Sequence, residues 1–411
     1  MPQRRLLRAH APARPRVTEE RVWLSPVESA IDDAIGEHVS QPPLPIVPST
    51  LTPLQALEDA VLQALQRPPC LVMFSGGRDS SLVLAVATRV ARKASLPLPI
   101  PTTQVFPDYP ETDESAWQTM ALRHLRLSDH HRQVFRGELN LLGPVVRASI
   151  RRHGLVAPAG SHLIVPTLAE ARGGSVLTGT DGDGLLNGGS FAQARAVLRH
   201  RVRPTRRMPL TFARALAPRR LRRAVARRRA PLRVPWLRRA PLTRLLDLDA
   251  AEVASEPFRW NGYVAWWARR RYIVARRQAM AFLAETHDVR LAHPLMEPTF
   301  LAAVSQAGGA WGWGNRTMTL RALFAGLLPD ALLARESKAD FTRANWGNDA
   351  RDFIAAWDGT GLPADLVDVD ALRAVWADEM PDARTGLLLH AAWAATLRPD
   401  ESKEPFNCRL E

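Results

Sequence analysis

Phe74-Ser75-Gly76-Gly77-Arg78-Asp79-Ser80-Ser81 joins a short apolar run to a helical pattern, and the fold follows from that junction. The run is Cys70-Leu71-Val72-Met73-Phe74, bounded by Pro69 and by the glycine pair, which predicts a buried strand. A helix is predicted from Asp79 to about Ala94. Glycines at a strand-to-helix turn let the backbone approach a ligand closely. The free N–H groups and the dipole at the helix start then favour an anion. Ser75, Ser80 and Ser81 add hydroxyl donors. Asp79 sets a carboxylate beside that anion site, an arrangement suited to a magnesium ion bridging carboxylate and phosphate oxygens. No Gly-Lys-Ser/Thr follows, so this is not a Walker A loop, and the glycine spacing is wrong for a dinucleotide fingerprint.

Upstream, Leu54, Leu57, Val61, Leu62 and Leu65 recur at helical spacing behind a Thr52 N-cap and Pro53. Downstream, strands are predicted over Ile100 to Phe106, Arg132 to Phe135 and Ser175 to Thr178, with a helix from Glu111 to Leu127 between the first two. Alternating strands and helices predict an α/β fold, a parallel twisted sheet with helices on both faces, followed by a mainly helical C-terminal part. Val264 to Glu285 is predicted as one long packed helix. The organisation expected is a Pro/Arg-rich extension (1–50), a nucleotide-binding core (51–194), an Arg-rich helical insertion (195–245) and a helical part completing the site (246–411).

The 411 residues carry a formal net charge of +14 and 46% hydrophobic residues, a globular composition. Between Arg195 and Ala240 stand 17 of the 55 basic residues and no acid, so the remaining 38 face 41 acidic ones. The basicity belongs to one surface, with a solvated helix over Leu221 to Ala230 or an acidic partner as its two readings. Aromatic interleaving is absent from the run, which disfavours nucleic acid. Cys70 and Cys408 alone exclude a disulfide framework and a four-cysteine metal site. No apolar stretch is long enough to span a membrane and no signal peptide is visible, so a cytoplasmic protein is expected.

Ser-Gly-Gly-x-Asp-Ser after a buried strand resembles the pyrophosphate loop of the N-type ATP pyrophosphatases, an adenine-nucleotide α-hydrolase-like fold. Three further stretches resemble its asparagine synthetase branch. Leu177-Thr178-Gly179-Thr180-Asp181-Gly182-Asp183 is similar to the family's second loop, in which Asp183 takes the place of a magnesium-holding aspartate. Arg290-Leu291-Ala292-His293-Pro294 is similar to its Arg-x-Pro segment, His293 being read as a packed histidine in a turn. Arg335-Glu336-Ser337-Lys338-Ala339-Asp340-Phe341 follows its Arg-x-x-Lys-x-x-Phe pattern. The resemblance implies ATP and Mg2+ as cofactors, held by Ser75, Gly76, Gly77, Asp79, Ser80, Ser81 and Gly179, with Asp79 and Asp183 as metal ligands. It implies Lys338 as the electrostatic catalyst beside Asp79 and Asp183.

Departures qualify what is carried over. Gly184 stands where the family usually has glutamate, Asp181 replaces a glycine, and Thr180 lies where asparagine synthetase has glutamate and β-lactam synthetase tyrosine. Met1 is followed by Pro2 rather than the glutaminase cysteine, so a synthetase domain alone is expected. The implied function is an AMP-forming carbon–nitrogen ligase that adenylates a carboxylate and passes it to an amine. Trp311-Gly312-Trp313-Gly314-Asn315-Arg316 and the His-Pro turn are similar to lasso-peptide cyclases and so point to peptide tailoring. The alternatives are asparagine formation from ammonia, a tRNA-modifying pyrophosphatase and an inactive ATP-binding scaffold.

Overall fold

Five strands, β1 (Cys70–Met73), β2 (Ile100–Val105), β3 (His131–Val134), β4 (Ser175–Leu177) and β5 (Arg290–Ala292), form one sheet in the order β3-β2-β1-β4-β5. Every neighbouring pair is parallel. The computed structural model describes residues 20–206, 208–228, 233–398, 400–401 and 403–410. Alternation along β1 explains why the sheet is covered twice. Cys70, Val72 and Phe74 pack into one core with Leu57, Leu84 and Val86 of the helices Pro53–Leu65 and Arg78–Ala94. Leu71 enters the opposite core with Val176, Leu168 and Leu283. The α/β expectation with helices on both faces therefore holds, and most of the chain after β4 is helical.

Local chemistry sets the element ends. Thr52 accepts from the Gln55 N–H at 3.2 Å, and the Gln55 side chain returns the bond to the Thr52 N–H, a capping box ahead of Pro53. The helix expected from Glu111 starts later. Pro110–Thr112 is a single 3-10 turn, and Asp113 accepts from the Ser115 N–H at 2.9 Å, so the α-helix runs Ser115–Leu125. The long helix expected over Val264 to Glu285 is two, Trp260–Ala268 and Arg271–Glu285. At the break Arg270 is extended, because residues 36–38 dock there. His38 N–H donates to the Arg269 carbonyl, and Arg271 N–H to that of Gly36. β5 was not expected as a strand; three half-buried residues carry too little apolar pattern to announce one.

Residues read as an extension contribute to a third core. Val27 and Ile31 pack with Trp236, Trp376 and Leu388, and Trp236 Nε1 donates to the Ala30 carbonyl at 2.8 Å. Residues 1–19 lie outside the described residues. In the arginine segment the helices are Met208–Leu216 and Arg219–Arg228. Arg229 and Ala230 of the helix expected over Leu221 to Ala230 also fall outside the described residues. Among the described residues no helix is long and apolar enough to cross a membrane.

Candidate active site

β1 and β4 lie side by side in register, with Leu71 beside Val176, while the chain leaves β1 toward β2 on the other side. The crevice beyond their carboxyl ends is the topological switch point of the sheet, where open α/β folds bind ligands. Both glycine-rich loops open there. In the first, Gly76 has φ +82, a backbone region that favours glycine. A Cβ on Gly76 would stand 2.9 Å from Gln118 Cγ. Ser75 and Ser80 share a hydroxyl hydrogen bond of 3.1 Å, Ser75 Oγ accepts from the Gly77 N–H, and Ser80 Oγ donates to the Gly77 carbonyl. The turn is thus pinned by its own serines before any ligand arrives. The second loop presses on the first, for a Cβ at Gly179 would lie 2.7 Å from the Ser80 nitrogen.

The cleft between the loops has a volume of about 510 Å³. Ser75, Gly77, Asp79 and Ser80 line it from the first loop, Gly179 and Asp183 from the second, and Lys338 from a third. Two residues expected at the nucleotide do not line it. Ser81 is fully buried beneath the helix start, and Gly76 offers its carbonyl to Arg335 Nη1 at 2.9 Å. Gly76 therefore shapes the turn from behind.

Asp79 and Asp183 share this cleft, and they differ in setting. Asp183 is exposed and accepts from the Gly184 N–H at 2.9 Å. Asp79 is mostly buried; Arg316 Nη2 contacts its Oδ2 at 2.6 Å, and its Oδ1 has no hydrogen-bond partner. Burial raises the Asp79 carboxyl, and the Arg316 charge works against that rise. Asp181 also lines the cleft, at φ +64 and paired with Arg276 Nη1 at 2.7 Å. Burial pushes its carboxyl up to about 6 against the pull of Arg276. The charge that Asp181 brings in place of the family's glycine is thus compensated within the protein by Arg276.

These carboxylates suit a magnesium ion. The donors are hard oxygens, and one lone-paired oxygen of Asp79 is buried and unclaimed. Among the described residues no group of three or more His, Cys, Asp or Glu is placed to hold a metal. Magnesium commonly binds through one or two carboxylates and takes its other ligands from water and substrate phosphates.

The third loop is anchored from below. Arg335 and Glu114, both almost fully buried, form a two-pronged ion pair, and the Arg335 guanidinium stacks 4.9 Å from the Trp117 ring. Glu114 also accepts from the Ala339 N–H at 2.9 Å. One carboxylate therefore holds both ends of the segment that carries Lys338, whose exposed side chain lines the cleft. His293 is packed in its turn as expected. Its Nδ1 lies 2.6 Å from Thr178 Oγ1, which itself donates to Thr180 Oγ1 at 3.0 Å. With that hydroxyl proton committed, His293 bears its proton on Nδ1.

Sequence reasoning missed four charged groups: Arg316, Arg276, Glu114 and the anchoring role of Arg335. A signal was present in the demand for charge balance, since an aspartate buried at a helix start requires a nearby cation. Nothing in spacing says which arginine supplies it. The Gly184 departure has a steric cause. A Cβ there would stand 2.1 Å from the Trp267 ring, and the Gly184 carbonyl accepts from Tyr263 Oη at 2.7 Å.

Residues 54–397 match the sequence model of one family, described as asparagine synthase. No curated protein matches the chain.

Proposed function

Because the chain belongs to the asparagine synthase family, we propose that its cleft joins a carboxylate to an amine at the expense of ATP, by way of an acyl-adenylate. Membership of the family makes the chain an enzyme of the ATP-dependent ligase type. The finer chemistry is supported by one observation above the others: two loops from adjacent strand ends and the Lys338 segment open on a single cleft.

On this reading a substrate carboxylate oxygen attacks the α-phosphorus of ATP. The bond from that phosphorus to the bridging oxygen breaks, and pyrophosphate leaves. The amine nitrogen then attacks the acyl carbon, loses a proton, and AMP departs. The N–H groups at the start of the Arg78–Ala94 helix and the Ser75 and Ser80 hydroxyls orient the phosphates. Asp79 and Asp183 are the residues to hold Mg2+, which supplies neutralisation of phosphate charge when bound. Lys338 brings a flexible ammonium to the charge that develops on the phosphates and on the tetrahedral intermediate. Most of the protein's contribution is orientation and charge, since the adenylate carries its own leaving group.

Peptide tailoring is the role we favour. Trp311, 40% exposed in the run that leads to the cleft residue Arg316, provides an aromatic surface that a free amino acid does not need. Ammonia-dependent asparagine formation is the alternative. An ATP–pyrophosphate exchange assay with peptide carboxylates, with aspartate and with no addition tests the reading. Exchange that depends on a carboxylate is expected. Absence of exchange with every carboxylate, in protein that binds Mg–ATP, removes the adenylation step.

A further inference from the structure

The segment 195–228 leaves the second glycine loop and forms a face unlike the rest of the surface. Not one residue of the Arg219–Arg228 helix is buried. Two of its arginines are tied to the protein: Arg222 Nη1 donates to the Glu256 carbonyl at 2.8 Å, and Arg227 Nε pairs with Asp247 at 2.6 Å. Four others are not. Arg219, Arg220, Arg223 and Arg228 are exposed, and none has an ion pair or hydrogen bond among the described residues. No acidic residue occurs between Arg195 and Ala240 to neutralise them.

Apolar side chains stand among these charges. Leu221 and Val225 lie one turn apart on this helix and are 55% and 45% exposed, and Leu210 and Leu216 of the preceding helix are 75% and 86% exposed. Solvation alone explains arginines in water and leaves four large apolar groups unexplained. A purely electrostatic nucleic-acid surface leaves them unexplained too, since they offer phosphates nothing. Charge complementarity together with this apolar content fits an extended or helical peptide that alternates acidic and apolar residues.

The face is tied to the run that leads to the cleft residue Arg316. Arg201 Nη1 donates to the Trp313 carbonyl at 3.3 Å, and Phe212 packs through Phe258 onto Trp311, with ring centroids 6.5 and 6.4 Å apart. Trp311 and Trp313 begin the segment that ends in Arg316, the partner of Asp79.

We propose that the Met208–Leu216 and Arg219–Arg228 helices dock an acidic, apolar-studded peptide segment, and that this segment belongs to the molecule whose carboxylate is activated. The second half rests on the ligase reading above; the docking itself does not.

The test is fluorescence anisotropy of a fluorescein-labelled peptide of repeating Glu-Leu-Glu-Glu-Leu units with the full chain. Three proteins are compared: wild type, the quadruple variant R219Q/R220Q/R223Q/R228Q, and L216S/L221S. Binding that weakens with salt is expected for wild type, and a loss of roughly tenfold or more for the arginine variant, as four exposed ion pairs imply. A loss that keeps its salt dependence is expected for the leucine variant. Vesicles rich in phosphatidylserine and a random-sequence RNA serve as competitors. Equal peptide affinity in all three proteins overturns the proposal. Tighter binding of vesicles or RNA, lost in the arginine variant, overturns it as well. Mg–ATP binding is measured on the same samples. Retained nucleotide binding without peptide binding ends the docking and spares the ligase reading, whereas peptide binding without nucleotide binding does the reverse.

Discussion

Arg316 stands in contact with Asp79 at 2.6 Å while the other oxygen of that carboxylate has no partner. The pair is mostly buried, with side-chain exposures of 19% and 12%. A guanidinium thus compensates the charge at which a metal ion is expected. Removing it leaves a desolvated carboxylate with half its company.

The variant R316Q should therefore lose about 1–3 kcal/mol of stability in nucleotide-free protein, because one member of a largely buried pair is left behind. Mn2+ alone should recover part of that loss in R316Q and stabilise wild type less, as wild type must give up Arg316 first. Thermal unfolding with and without Mn2+ reads this directly. Equal Mn2+ shifts in the two proteins would show that Arg316 and the metal do not compete for Asp79.

Glu114 and Arg335 tie the Lys338 segment to the back of the first loop. E114Q strands a buried guanidinium and should cost roughly 3–5 kcal/mol. The double change E114L/R335M removes both charges and should return much of the stability without the bond to the Ala339 N–H. Its expected signature is near-normal unfolding with ATP turnover lowered about tenfold or more, the consequence of a misplaced Lys338. Full turnover in the double variant would reduce the ion pair to a packing element.

What the sequence could disclose depended on how local each signal was. The strand, turn and helix over Cys70 to Ala94 are written in adjacent residues: an apolar run, a glycine pair, then a long amphipathic pattern. The convergence of Asp79 and Asp183 was legible only by placing both loops at carboxyl ends of strands. Glu114 and Arg335 are 221 residues apart and follow no period, so charge pairing gave no hint of their meeting. The break at Arg269 and Arg270 was hidden for a related reason. Its cause is the docking of residues 36–38, a tertiary event that overrides a continuous helical pattern.

Gly184 invites a test by restoration. The side chain usual in the family cannot be accommodated while Trp267 fills that space at 2.1 Å. G184A should cost about 3 kcal/mol from overpacking, and G184E at least as much. Pairing G184A with W267L should return most of the loss by opening room beside Tyr263. Denaturant unfolding of the single and paired variants measures the coupling. Additive losses would mean that the loop yields and the ring does not set its residue.

His293 ties acid sensitivity to the second loop. Burial holds its imidazole down at about 3, with Arg277 and Arg276 adding to the effect, and its Nε2 is buried without a partner. The unfolded chain protonates the same group near 6.5. Between those limits the unfolded state binds the proton and the folded state does not, so stability falls as pH falls through that window. H293N keeps a donor toward Thr178 Oγ1 and cannot titrate. The stability advantage of wild type over H293N should accordingly shrink by ~3 kcal/mol on going from about pH 7 to about pH 4. His162 and His390, also buried and held low, contribute equally to both proteins and cancel in the comparison. Urea unfolding across that pH range gives the difference. A constant gap would mean that His293 already carries its second proton in the fold, on the buried Nε2, and that burial does not hold the imidazole neutral.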